Sequence, residues 1–297
     1  MSGLQPYRPV LPRWVWLSCL FFAFSAGLMA AERAEALTAQ HADILALIDK
    51  ADFKQPIAID SSVEQSSAQG HIYAILDHPI SAFKAHLSSK ESWCEIIFLH
   101  FNIKSCVLMP DTEEGFRVAI YSGRLYYQPP EDVNRNDYQF SRFDVSDNDL
   151  NMELHGPDGP FGTRNYRISI AASAIGEQTL VRVGYSVDIN WMTRLAQRVY
   201  FASAGRHRVG FTHEDDGELV RGVRGMIERN TMRFYLALEA FMETPDLAAY
   251  PERLRAWHML TEQYPRQLQE LDLDTYLGYK AKERRDQERL QQEAAQG

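Results

Sequence analysis

One helix constrains this chain more than any other feature. Arg224 to Thr244 reads RGMIERNTMRFYLALEAFMET, and Ile227, Thr231, Phe234, Leu238 and Phe241 recur at steps of four, three, four and three. Such a stripe must lie against an apolar surface. The preceding chain is dominated by the other period. HIYAIL, FRVAIYSGR, YQFSRFDVS, DLNMELHG, YRISIAASAI and TLVRVGYSVDI alternate apolar with polar residues. A run of such strands forms an antiparallel sheet, and that sheet has to bury one face. The long helix is its natural cover.

The remaining segments fill in the order. ISAFKAHL predicts a short helix with Ile80, Phe83 and Leu87 on one face, and ESWCEII a second helical turn. From Phe98 the period is two: Leu99, Phe101 and Ile103 fall on one side, His100, Asn102 and Lys104 on the other, which predicts a strand to about Met109. QPPEDVNRND predicts a loop, because its prolines cannot hold a strand ladder. Gly156 to Asn165 joins two strands and lacks the ending of a phosphate loop. Turns are expected at Gly176-Glu177 and near Asp216-Gly217. Helices are expected over residues 32–52 and Asn190 to Ala204, and Ile59 to Gly70 reads as a loop or a weak edge strand. Beyond Pro245, Leu254, Trp257, Leu260 and Tyr264 mark shorter helices, and from Lys280 the charged tail reads as a solvated helix or as disordered. The fold class is α+β: a curved antiparallel sheet wrapped around a long C-terminal helix, with extra N- and C-terminal helices.

The N-terminus sets the compartment. Arg8 and Arg13 are the only charged side chains before Glu32, and Trp14 to Ala31 carries no charge. A basic start, an apolar stretch and small residues read as a secretory signal peptide. The alternative is an uncleaved anchor, since eighteen apolar residues reach ~27 Å, nearly a bilayer core. Either way the rest is exported. It holds 29 basic and 40 acidic residues, a charge of −11, once Arg8 and Arg13 are removed from the whole-chain count. That balance argues against nucleic acid, which needs clustered Lys and Arg. The exported part keeps two cysteines, Cys94 and Cys106. In an oxidising compartment they read as a disulfide, worth about 3 kcal/mol in the entropy model. A zinc site would want a second pair and a redox site C-x-x-C spacing.

Candidate polar contacts cluster on the long helix. Arg229 and Arg233 stand four apart and share a face, with Asn230 between them and Phe234 next. Arg suits a carboxylate or phosphate because its fork makes two parallel hydrogen bonds. Arg164, Tyr166 and Arg167 offer a second polar point, and Tyr185 an aromatic wall. Each has a plainer reading: the charges pair with the sheet rim, and the aromatics fill the core. His100 enters a cavity only if the polar side of its strand faces inward. His207 and His213 lie near Asp215 and Asp216 without a third ligand, so no metal site is assigned. No G-x-S-x-G is present, and neither a catalytic residue nor a cofactor is assigned.

This element order, over roughly His71 to Thr244, resembles the START-like (helix-grip, SRPBCC) superfamily of lipid-transfer domains and polyketide-cyclase-like proteins. HIYAILDHPISAFKAHLSSKESWCEIIFLHFNIKSC, GPFGTRNYRISI and RGVRGMIERNTMRFYLALEAF are similar to segments of uncharacterised exported bacterial proteins of that class. The resemblance implies a lipid or other apolar small molecule held between sheet and long helix. Two alternatives stay open: a cyclase- or hydrolase-like enzyme on the same scaffold, and a non-catalytic envelope interaction protein with a filled core. The implied organisation is a signal peptide or anchor at 1–31, a helix and loop at 32–69, the START-like domain at 70–244 and a helical extension with a charged tail at 245–297. The implied location is the bacterial periplasm. An uncleaved N-terminal segment would add membrane association.

Overall fold

The computed structural model describes residues 37, 40–112, 115–159, 163–189, 203 and 205–296. The N-terminal apolar run, and all but Ser203 of the helix expected at Asn190 to Ala204, lie outside them. Contacts divide the chain into residues 1–41 and 42–297. In the first unit the Gln40 N–H donates to the Leu37 carbonyl at 3.2 Å. Helix α1 (His41–Lys50) opens at that division, and the second unit carries everything below.

A hairpin of β1 (Ile57–Val63) and β2 (Ser67–Leu76) stands at one edge, so the Ser/Gln-rich stretch is an edge strand rather than a loop. Pro79 stops the chain after β2, and α2 (Ile80–Leu87) and α3 (Lys90–Phe98) follow, the latter capped by the Ser89 hydroxyl on the Ser92 N–H. Then come β3 (Ile103–Thr112), β4 (Gly115–Ser122), β5 (Asn134–Val145), β6 (Asp149–Asp158), β7 (Arg164–Ile175) and β8 (Gln178–Asp188). The eight strands pair antiparallel in the order β1-β2-β8-β7-β6-β5-β4-β3. Register shifts in β3/β4, β5/β6 and β7/β8 bend the sheet. The long helix α4 (Gly222–Glu243) lies on the concave face, and its whole predicted stripe is buried. Gly70 of β2 makes room for it: a Cβ there would stand 2.8 Å from Ile227 and from Thr231. This is the helix-grip arrangement expected from the sequence. Among the described residues no helix is long and apolar enough to cross a membrane.

Two local expectations differ. The strand expected from Phe98 begins only at Ile103, because α3 runs to Phe98 and a tight turn follows. Phe101 points instead at Trp257 and Tyr276, with ring centroids 4.8 and 5.2 Å away. The disulfide Cys94–Cys106 therefore ties a helix to a strand. QPPEDVNRND contains a 3-10 turn at Pro130–Asp132, and from Asn134 it is already strand β5, paired with β4.

The largest difference is the charged tail. After α5 (Tyr250–Glu262) and α6 (Pro265–Leu268), helix α7 (Leu273–Gln296) lies along the free edge of β3, burying Lys280, Glu283, Arg284 and Gln287. Its side chains replace a neighbouring strand. Glu283 pairs with Lys104 at 2.8 Å. Gln287 Oε1 accepts the Cys106 N–H at 2.8 Å. Gln291 Oε1 accepts the Leu108 N–H at 2.8 Å, and its Nε2 donates to the Leu108 carbonyl at 3.1 Å. Four residues of helix rise ~6 Å and two of strand ~6.6 Å, so 283, 287 and 291 keep step with 104, 106 and 108. Glu95 of α3 accepts from Arg253 at 2.7 Å and from both forks of Arg284 at 2.7 and 2.9 Å. Lys280 donates to the His100 and Ile103 carbonyls at 3.0 and 2.6 Å. Charge reads as exposure only when no partner is in view, and these partners lie far away in sequence.

Glu95→Ala would strand two buried guanidinium groups and is expected to cost about 3–5 kcal/mol by urea denaturation. Replacing Cys94 and Cys106 together by Ala should remove about 3 kcal/mol, measured the same way with the wild type kept oxidised.

Candidate functional site

Between the concave sheet and the N-terminal half of α4 lies a cavity of about 620 Å³. Its apolar wall comes from α3, β4, β7, β8 and α4, through Ile97, Ile120, Ile168, Val187, Met226 and Phe234. A hollow of about 630 Å³ sits among outward side chains of β4, β5 and β6. Its Arg117 and Asp137 pair with each other at 3.5 Å, which marks a polar surface groove.

The polar groups of the cavity form a connected array. His100, in the turn after α3, is buried, with its ring stacked on Phe234 at 5.3 Å. Its Nδ1 accepts the Asn102 N–H at 3.1 Å, so in the neutral ring the proton sits on Nε2. Burial pushes the His100 pKa well below the usual range, and Arg233, Lys280 and Lys104 push the same way. The Asn230 side chain acts on His100 in the opposite sense and on the Tyr185 hydroxyl. Nε2 is nonetheless buried without a well-formed hydrogen bond. A neutral ring with a proton on Nε2 can donate to an oxygen acceptor in the cavity. Tyr185 stacks on Phe234 at 5.8 Å and meets Tyr166 edge-on at 5.8 Å. Its phenol is raised well above the ordinary value, by burial first and then by Tyr166.

The cations gather at one end. Arg233 donates to Glu270 at 2.9 Å, and Arg208 grips the same carboxylate with both forks. Arg229 donates to the Val209 carbonyl at 3.0 Å. Glu228 turns away from the cavity to accept from Ser61 Oγ at 2.6 Å and the Phe211 and Thr212 N–H groups at 2.6 and 3.0 Å. That carboxylate pins residues 211–212 to α4.

Six of the eight residues singled out from the sequence stand on the cavity wall: Tyr166, Tyr185, Arg229, Asn230, Arg233 and Phe234. Arg164 and Arg167 do not. Both are exposed on β7, and Arg167 pairs with Glu153 at 2.6 Å. Period two places Tyr166 inward, and its neighbour Arg167 must then face outward. Sequence reasoning missed Arg208, Glu270, Tyr138 and Met226 as wall residues. Tyr138 was legible as inward. Glu270, between Gln269 and Leu271, carried no signal. His207 accepts from Arg206 at 2.8 Å, and among the described residues no group of His, Cys, Asp or Glu could hold a metal ion.

Sheet, helix and cavity together define a helix-grip domain with an internal pocket. No family model matches the sequence, and no curated protein matches it. Solved structures do align. A norcoclaurine synthase point mutant from Thalictrum flavum, in complex with a transition state analogue, aligns at 9% identity and TM-score 0.36, over 46% of this chain and 86% of its own. The Zhui aromatase/cyclase of a Streptomyces species aligns at 11% and 0.30, over 65% and 94%. Human StAR-related lipid transfer protein 5 aligns at 10% and 0.29, over 59% and 89%. At such identity and superposition these likenesses carry no information on the chemistry of this chain.

The neutral state of His100 has a consequence in acid. Unfolded, an imidazole titrates near about 6.5. Folded, this one titrates well below, so between the two values the unfolded chain binds the extra proton. Its contribution to stability is complete above about pH 6.5 and is lost as pH falls through the folded value, at up to about 1.4 kcal/mol per pH unit. His100→Gln should lose less stability than wild type between pH 6.5 and 5, read from urea midpoints across that range.

Proposed function

We propose that this protein is an exported carrier or receptor that holds one small molecule with an apolar body in the cavity between sheet and α4. The observation that carries the reading is the cavity itself: a volume within the ordinary range for ligand sites, with an apolar wall and a few convergent polar groups. Each ~100 Å² of apolar ligand surface withdrawn from water would contribute ~2.5 kcal/mol before the costs of ordering. The ligand's polar atom would accept from His100 Nε2 and meet the Tyr185 hydroxyl. The disulfide and the uncharged N-terminal run favour an oxidising, periplasmic setting. A cavity weighs against an interaction protein with a filled core.

The test is native mass spectrometry of gently purified protein, followed by titration with a fluorescent fatty acid. Wild type should carry or take up one apolar molecule. Ile168→Trp, which fills the wall without adding charge, should fold and lose most of that uptake. An empty wild-type protein that takes up no probe would overturn the reading.

A further inference from the structure

The two edges of the sheet are finished differently. The β3 edge lies under α7, whose Gln287 and Gln291 accept from its Cys106 and Leu108 N–H groups. The β1 edge has no such cover. Its pairing with β2 runs from Ile57↔Ala74 to Val63↔Ala68 without a register shift. The flanking bonds fix which groups face β2: the Ile75 N–H donates to the Pro56 carbonyl at 3.1 Å, and the Glu64 N–H to the Ser67 carbonyl at 2.9 Å. Bonded residues alternate in an antiparallel ladder. Ala58, Asp60 and Ser62 therefore bond β2, while Ile59, Ser61 and Val63 turn their N–H and carbonyl groups to the open edge. Among the described residues nothing bonds those groups. Residues 211–212 share the Glu228 carboxylate with Ser61 Oγ and leave the Ser61 backbone untouched. Natural edges are guarded by lysine, proline, a bulge or an inward charge. The strand IAIDSSV has none of these: its one charge, Asp60, is exposed on the face away from α4, and Val63 is a large apolar side chain left 39% exposed.

We infer that this edge is a homodimer interface, in which a second copy of the chain adds its own β1 antiparallel, with the two-fold axis at Ser61. The strand is self-complementary in that register, as an isologous contact requires. Ser61 bonds Ser61 of the second copy, and Ile59 bonds its Val63. Every outward N–H and carbonyl of Ile59, Ser61 and Val63 then has a partner. On the α4 side the exposed Val63 covers the half-buried Ile59 of the other copy, and on the far side Asp60 faces the Ser62 hydroxyl. The helices do not obstruct the pairing. Helix α4 meets the sheet at Gly70 of β2, and the two β2 strands would lie three strand spacings apart, ~14 Å. Packed helices need only ~8–10 Å. One short strand makes a small interface, and both copies are net negative, so the dimer is weak, with a Kd of roughly 10–100 μM. The inference is independent of the carrier reading.

The test is sedimentation equilibrium of the oxidised exported chain from about 5 to 300 μM, a range that brackets the expected Kd. Wild type should pass from monomer to dimer and go no further, because pairing uses up the edge. Val63→Pro removes an N–H that points away from β2, a position where an edge strand accepts proline. It should keep the wild-type urea midpoint and stay monomeric. Amide exchange gives a second reading that needs no variant: the Ile59, Ser61 and Val63 N–H groups should exchange more slowly as concentration rises. A wild type that remains monomeric throughout overturns the inference. So does a dimer that persists in folded Val63→Pro, or one in which those three amides still exchange as in the monomer.

Discussion

Helix α4 has to satisfy two environments along one length, and the rest of the molecule is arranged around that constraint. Its C-terminal half is wholly apolar where it meets the sheet: Leu236, Ala237, Leu238, Ala240 and Phe241 are fully buried. Its N-terminal half buries Glu228, Arg229 and Arg233 as well. Burying a charge without a partner is too costly to persist, so this half recruits partners from elsewhere. Residues 209–212 supply a carbonyl for Arg229 and two N–H groups for Glu228. Glu270, just beyond α6, meets Arg233. The cavity opens where α4 is polar rather than where it is apolar.

The same economy of partners holds the far edge. A free edge strand presents unpaired N–H and carbonyl groups that would template pairing with another chain. Here β3 is covered by a helix that supplies amide side chains in strand register, and the cover is anchored by two buried carboxylates, Glu95 and Glu283, each gripped by two cations. The Cys94–Cys106 bond ties α3 to β3 at that junction. Because Lys280 bonds the His100 carbonyl, the cover also fixes the turn that presents the His100 ring to the cavity. Edge protection and site geometry therefore share one set of interactions.

Much of this could be read locally. A two-residue period survives in any sheet with one buried face, so the strands, the Gly176 turn and the inward side of Tyr138 were visible. The stripe of α4 was visible for the same reason at period 3.6. The reading failed where polarity was taken as exposure. Lys280 and Arg284 looked like a solvated tail, and Arg164 and Arg167 like a head-group contact. Nothing within a few residues of Lys280 distinguishes it from a surface lysine; its acceptors belong to residues 100 and 103.

The order of elements, their faces and the long helix α4 follow from side-chain size, branching and spacing along the chain, because those preferences act between near neighbours. Which charges are buried, which six of eight candidates share a wall and where the cavity opens depend on partners as far apart as Lys104 and Glu283, or Glu95 and Arg284. The free energy of a buried charge is set by what the fold places beside it, and only the tertiary structure supplies that neighbour.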